Sequence, residues 1–315
     1  MAASPKLPVL SIGDLRVVAA RVVGWSVTAV LPHTADRRAV ALMARLWKRT
    51  KTAPIRRLGG RILGTLPRRF NRQKAYDFAE KWYEAQAEVA LGRLRTLHRS
   101  DWRVDIEVEG LDRLHEALQQ GRGAVIWYMS FCSSFLLMRV LAEAGMPACH
   151  LSRASHGVAR KSRLGVAFGA RLFRAAEDRY LHQRIIFHDP SSPKYYRQLV
   201  DLLAANHPVT IRGDIASAES RLPASFLGSK FALAGGAPNI AFRANAPLLT
   251  AYVTRLGPFH YRVVIQEPVT EERTSRQEFA RRAVWEYGRR LDEQLRSHPL
   301  DWEAWPWIEN YRAEP

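Results

Sequence analysis

The chain changes its hydrophobic rhythm once, near Ser100-Asp101. Before that point apolar residues mostly recur every three or four positions; beyond it, short uninterrupted apolar runs alternate with helical stretches. The first expected helix covers 12–31, contains the apolar segment Leu15 to Leu31, and stops at Pro32. A second, basic helical region is expected over 36–64, punctuated by Pro54 and Gly59-Gly60. Over 72–99 a long amphipathic helix aligns Tyr76, Ala79, Tyr83, Ala87, Ala90 and Leu94 on one face.

Beyond Asp101 the pattern predicts strands at Val104 to Val108, Ala124 to Met129, Ala148 to Ser152, Ile185 to Phe187, Val209 to Ile211, Leu248 to Thr254 and Tyr261 to Gln266. Helices are expected at Leu111 to Gln120, Ser133 to Ala144, about 195–205, and Arg276 to Ser297, with Gly121 and Gly145 ending the first two. Apolar strands separated by helices predict an α/β class: a mostly parallel central sheet flanked by helices, preceded by a membrane-associated helical region. The division falls into 1–100 and 101–315. In such sheets ligands sit beyond the carboxyl ends of the strands. That singles out the Met129 to Ser133 turn and the segment after Ile211.

Charge sharpens the picture of the first region. The chain carries 48 Lys and Arg against 30 Asp and Glu, a net +18, which calls for an anionic partner. From Arg37 to Tyr76 there are 13 basic residues and no acidic ones, directly after the apolar segment. With Arg16 and Arg21 inside it, that segment is marginal for the ~20 apolar residues a spanning helix needs. It also lacks the cleavage site of a secretory signal. It reads as a peripheral or shallowly inserted helix with Trp25 at headgroup depth, and anionic membrane lipids are the expected partner. Zinc spacings, RNP aromatics and a helix-turn-helix signature are absent, so nucleic acid is excluded as a partner. Cys132 and Cys149 form neither a disulfide framework nor a metal spacing, consistent with a reducing compartment.

The candidate chemistry clusters at the expected rim. His150 and His156 flank the end of the third strand as candidate bases. Cys132 lies at the start of a helix, where thiolates are favoured, yet suits a small buried residue equally well. Ser130 as a nucleophile would need flanking glycines, which MSFCS lacks. Arg163 and Arg212 are candidate phosphate ligands, and Asp214 follows the fifth strand. Trp127, Tyr128, Phe131 and Phe135 are candidates to line an apolar ligand groove, and Phe226 and Gly228 are further candidate binding residues. His182, His188 and Asp189 lack a known ligand spacing, so no metal is expected, nor any cofactor.

The order of motifs from about Val108 to Trp305 resembles the lipid A biosynthesis acyltransferases, the lauroyl and myristoyl transferases of the lysophospholipid acyltransferase superfamily. The resemblance is carried by VEGLDRLHEALQQGRGAVIW, by Ser162 to Gly165, by PVTIRGD ending at Asp214, and by Phe226-Leu227-Gly228. The stretch from Gly236 to Pro247, LLTAYVTRLGPFHYRVVIQEPV, and His298-Pro299 with Trp302 and Trp305 complete it. It implies acyl transfer from an acyl carrier protein or coenzyme A thioester to a lipid or saccharide hydroxyl. It also implies a location on the cytoplasmic face of a bacterial inner membrane.

The family's His-x4-Asp or His-x4-Glu pair is missing. Aligning GAVIWYMSF on the family turn puts Ser130 on the histidine and Phe135 on the carboxylate. Neither can abstract a proton, and loss of a general base costs roughly 10²–10⁴ in rate. Two readings follow: an acyltransferase with a displaced base such as His150 or His156, or a degenerate relative that binds lipid or supports a partner enzyme. Restoring the pair by Ser130→His with Phe135→Asp is expected to raise activity if the rest of the site is intact.

Overall fold

The computed structural model describes residue 8 and residues 22–98, 102–153, 174–175, 177–187, 193–216, 218, 220–269 and 275–312. His156 and Arg163, with His188, Asp189 and residues 12–21 of the first expected helix, lie outside them.

The central sheet has seven strands among the described residues, in the order β1-β9-β8-β2-β5-β3-β4. They are β1 (Asp105–Glu109), β2 (Ala124–Tyr128), β3 (Ala148–Arg153), β4 (Leu181–Phe187), β5 (Pro208–Arg212), β8 (Leu248–Gly257) and β9 (His260–Pro268). Five run in one direction; β9 turns back against β8 as an antiparallel hairpin, and β1 pairs parallel to β9. The sheet is therefore mostly parallel, as its apolar strands predict. Strand β2 lies between β8 and β5, and all five of its residues are buried, whereas the edge strand β1 is largely exposed.

A second sheet was not legible in the pattern: β6 (Arg221–Phe226) and β7 (Ser229–Ala234) form an antiparallel hairpin. Pro223 falls inside β6, where a proline argues against a strand; it is tolerated in a two-stranded sheet, where each strand is an edge, and the residue is exposed.

The alternation along β2 divides the core into two faces. Val125, Trp127 and Met129 face one cluster with the hairpin and the C-terminal segment; Ala124, Ile126 and Tyr128 face the other, with Trp102 and Phe135. Helices α5 (Leu111–Gln119) and α6 (Phe135–Glu143) cover the second face. Helices α7 (Pro193–Ala204), α8 (Gly236–Arg243) and α9 (Arg276–Ser297) cover the first.

The N-terminal helical region joins the same cores from Ile55 to Val89. Helix α1 is described over 22–30, and the basic region resolves into α2 (Asp36–Thr50) and α3 (Thr52–Thr65), the latter running through Gly59-Gly60 unbroken. Helix α4 (Arg72–Thr96) is capped by Asn71, whose side chain accepts from the Lys74 N–H at 2.9 Å. A buried pair of Arg95 and Asp36 ties α4 to α2, and Arg95 also donates to the Thr28 carbonyl at 2.6 Å. Trp82 on α4 donates to the Trp302 carbonyl at 2.8 Å, so the two halves of the chain share one interior. No described helix is long and apolar enough to cross a membrane.

Candidate functional site

Strands β2 and β5 run side by side, with Tyr128 opposite Arg212, and the Gly213 N–H donates to the Tyr128 carbonyl at 2.9 Å. Each chain then runs two residues further, which brings Ser130 and Asp214 face to face at the carboxyl end of the sheet. The Ser130 N–H and hydroxyl both donate to Asp214 Oδ2, at 3.0 and 2.5 Å. The indole N–H of Trp302 donates to the same oxygen at 2.6 Å. Arg212 completes the cluster: Nε donates to Asp214 Oδ1 at 2.9 Å and Nη2 donates to the Ser130 hydroxyl oxygen at 2.8 Å.

The C-terminal segment closes over this cluster. Phe131 forms a β-bridge with Trp302, the Glu303 N–H donates to the Ser130 carbonyl at 2.7 Å, and Tyr311 donates to the Asp214 carbonyl at 2.7 Å. Ser130 is 1% exposed and Asp214 0%. Burial, reinforced by Asp214, holds the phenols of Tyr287 and Tyr311 well above their ordinary range, so both remain protonated donors. Burial opposes the charge on Arg212, but its neighbours, the Asp214 carboxylate first among them, together outweigh it and raise its pKa. Gly213 belongs to the same packing: a Cβ there would lie 2.4 Å from Trp127 Nε1 and 2.5 Å from the Tyr287 hydroxyl.

The structure thus brings Ser130, Arg212 and Asp214 together, which the sequence placed near one rim without showing their contact. Chemically the cluster is closed. The one hydroxyl proton of Ser130 goes to Asp214, one of its two lone pairs accepts from Arg212, and at 1% exposure the oxygen has no open approach to a thioester.

The other candidates do not join it. His150 is 4% exposed and its Nδ1 lies 2.9 Å from the Thr210 hydroxyl. Thr210 is in register with Ile126, four residues before Ser130, so His150 sits within the sheet and meets Thr210 there. It is a sheet residue beside Tyr128, not a rim residue. Phe135 packs against Trp102 in the second core, with ring centroids 6.0 Å apart, across the sheet from the Trp302 cluster.

Trp127, Phe131 and Phe226 are fully buried in the core: Trp127 packs on Tyr287 at 4.1 Å with the rings tilted, and Phe226 stacks on Phe231 at 4.3 Å. Gly228 forms the turn of the β6–β7 hairpin with a φ of +71°. Cys132 is buried, donates to the Val253 carbonyl at 3.6 Å, and has its pKa pushed well up by burial and then Asp301, which leaves it unreactive. His182 stacks on His207 at 4.2 Å, and no described group of His, Cys, Asp and Glu is arranged to hold a metal.

Trp302, Glu303 and Tyr311 are the site residues that the sequence reading misses. Trp302 was visible as part of a tail motif, but nothing local ties it to Asp214, 88 positions away.

Neither a family model nor a curated protein matches the chain. Among solved structures, the 1-acyl-sn-glycerophosphate (LPA) acyltransferase PlsC of Thermotoga maritima aligns at 16% identity with a TM-score of 0.38, over 82% of this chain and 98% of that one.

Proposed function

We propose that this protein is a lipid-binding relative of the lysophospholipid acyltransferases, related to the lipid A branch, that works at an anionic membrane surface without transferring an acyl chain. The observation that carries the reading is the closed cluster at the turn where a general base would have to act. Ser130 and Asp214 are buried, and their polar atoms are taken up by each other, Arg212 and Trp302. The candidate base His150 is held elsewhere by Thr210.

Membrane binding is supported by an unusual surface at the N-terminal end. Val22, Val23, Trp25, Val27 and Val30 on α1, and Leu42 and Leu46 on α2, are exposed large apolar side chains. Arg37, Arg38, Arg45, Lys48 and Arg49 on α2 are exposed beside them. Apolar side chains bordered by cations suit an interfacial contact with anionic lipid. The cytoplasmic face of an inner membrane is the setting in which such a protein would meet acyl carrier protein, coenzyme A thioesters and anionic lipid together.

The test is a transfer assay with radiolabelled acyl carrier protein or acyl coenzyme A and total membrane lipid. We expect no transfer above a boiled control. Transfer abolished by Ser130→Ala or Asp214→Asn would overturn the reading. The Ser130→His, Phe135→Asp variant is expected to stay silent, contrary to the expectation from sequence. An imidazole at position 130 meets Asp214, Arg212 and Trp302, whereas a carboxylate at 135 sits by Trp102 on the opposite side of the sheet.

A further inference from the structure

At the same end of the sheet, but away from the Ser130 cluster, a surface cleft of about 530 Å³ opens between the first turn of α2, the start of β1, the β8–β9 turn and α6. Its cationic walls are Arg37, Arg103 and Arg139, opposed by a single carboxylate, Asp105, while Trp102 and Phe259 supply apolar surface. Arg139 is held in place, with Nε on Glu143 at 2.7 Å and Nη1 on the Trp102 carbonyl at 2.9 Å. Arg37 and Arg103 are exposed and have no carboxylate partner among the described residues. Three arginines lining one cleft, two of them without a carboxylate partner, make a place where an oxyanion is favoured.

A second observation concerns Trp102. It is 1% exposed, yet its indole N–H has no acceptor among the described residues. A buried donor without a partner costs on the order of 1–3 kcal/mol. The residue that carries this orphan donor also lines the cleft.

We propose that this cleft binds a phosphate group. Guanidinium forks match the geometry of phosphate oxygens, and the cleft is larger than a bare phosphate, leaving room for the body that carries it. Asp105 favours ligands whose phosphate sits on the arginine side and whose hydroxyls face the carboxylate. The same recognition serves a soluble phosphomonoester or the headgroup of a lipid. The cleft adjoins the surface proposed to face the membrane, because Arg37 in the first turn of α2 lines it and α1 is pinned near the end of α4 by the Trp25–His98 stack at 5.4 Å. The site does not depend on whether the Ser130 turn is silent.

The test uses the full chain, the Arg37→Gln, Arg103→Gln variant, and a Lys230→Gln, Arg243→Gln variant that removes the same charge from exposed positions outside both the cleft and the basic N-terminal stretch. Glycerol 3-phosphate and inorganic phosphate are titrated calorimetrically, and flotation is measured with phosphatidylcholine vesicles with and without phosphatidic acid. We expect saturable binding that weakens about tenfold or more in the cleft variant and is unchanged in the control. Binding of the soluble phosphates with this pattern assigns a soluble ligand; the same pattern only with phosphatidic acid vesicles assigns a lipid headgroup. Equal losses in both variants, no loss in the cleft variant, or no binding to any probe would overturn the proposal.

Discussion

A carboxylate taken from water into the interior is costly unless its oxygens find donors, and Asp214 finds four. Three converge on one oxygen and come from two distant segments, so this side chain fastens the β2 turn and the C-terminal tail to the end of β5. Replacing it by Asn keeps the shape but removes the charge facing Arg212 and turns an amide N–H₂ toward other donors. Asp214→Asn is therefore expected to cost roughly 3–5 kcal/mol, read as a lowered midpoint in urea unfolding. Ser130→Ala, which removes one hydroxyl from the cluster, is expected to cost nearer 1–2 kcal/mol. A loss below about 1 kcal/mol for Asp214→Asn would mean that the cluster is not the fastening described.

At the scale of elements, the β6–β7 hairpin explains residues that resemble a substrate-binding motif. Leu227 and Gly228 take φ values of +53° and +71°, the left-handed pair that a two-residue hairpin turn requires. The turn is anchored because the Leu227 N–H donates to Asp292 on α9 at 2.7 Å. The inner face of the hairpin places Phe226 against Trp302 and Tyr311, with centroids 6.2 and 6.1 Å away, so it packs behind the Asp214 cluster. Space around Gly228 is open, so a methyl group there meets no atom and only the backbone objects. Gly228→Ala is expected to cost about 1 kcal/mol by thermal melting, through the left-handed φ alone. An unchanged melting temperature would show that the turn relaxes to another type.

For the whole molecule, the net charge of +18 and the exposed apolar side chains of α1 and α2 act together. Each cation near an anionic surface contributes on the order of 1 kcal/mol, screened over ~8 Å at physiological salt, while buried apolar side chains are insensitive to salt. Flotation with phosphatidylglycerol vesicles should therefore exceed that with phosphatidylcholine, and fall as sodium chloride rises. Leu42→Gln with Leu46→Gln, both exposed, should weaken the binding that survives high salt and leave the melting temperature unchanged. Binding indifferent to lipid charge and to both leucines would count against a membrane-facing N-terminal surface.

Periodicity is a local property, which is why the sequence alone determined the α/β class, the strands of the main sheet and the two longest described helices: α4 begins where its pattern predicts and α9 spans the residues its pattern predicts. The left-handed turn at Leu227-Gly228 and the proline in β6 hid the hairpin, because a broken strand and a motif look alike in one dimension. Residue types also marked Ser130, Arg212 and Asp214 as belonging near one rim. What they do there was decided only by tertiary structure, since Ser130 and Asp214 lie 84 positions apart and the Trp302 donor comes from the far end of the chain. Whether a buried serine is a reactive group or a fastening depends on which atoms surround its oxygen, and those atoms arrive from segments that share no spacing.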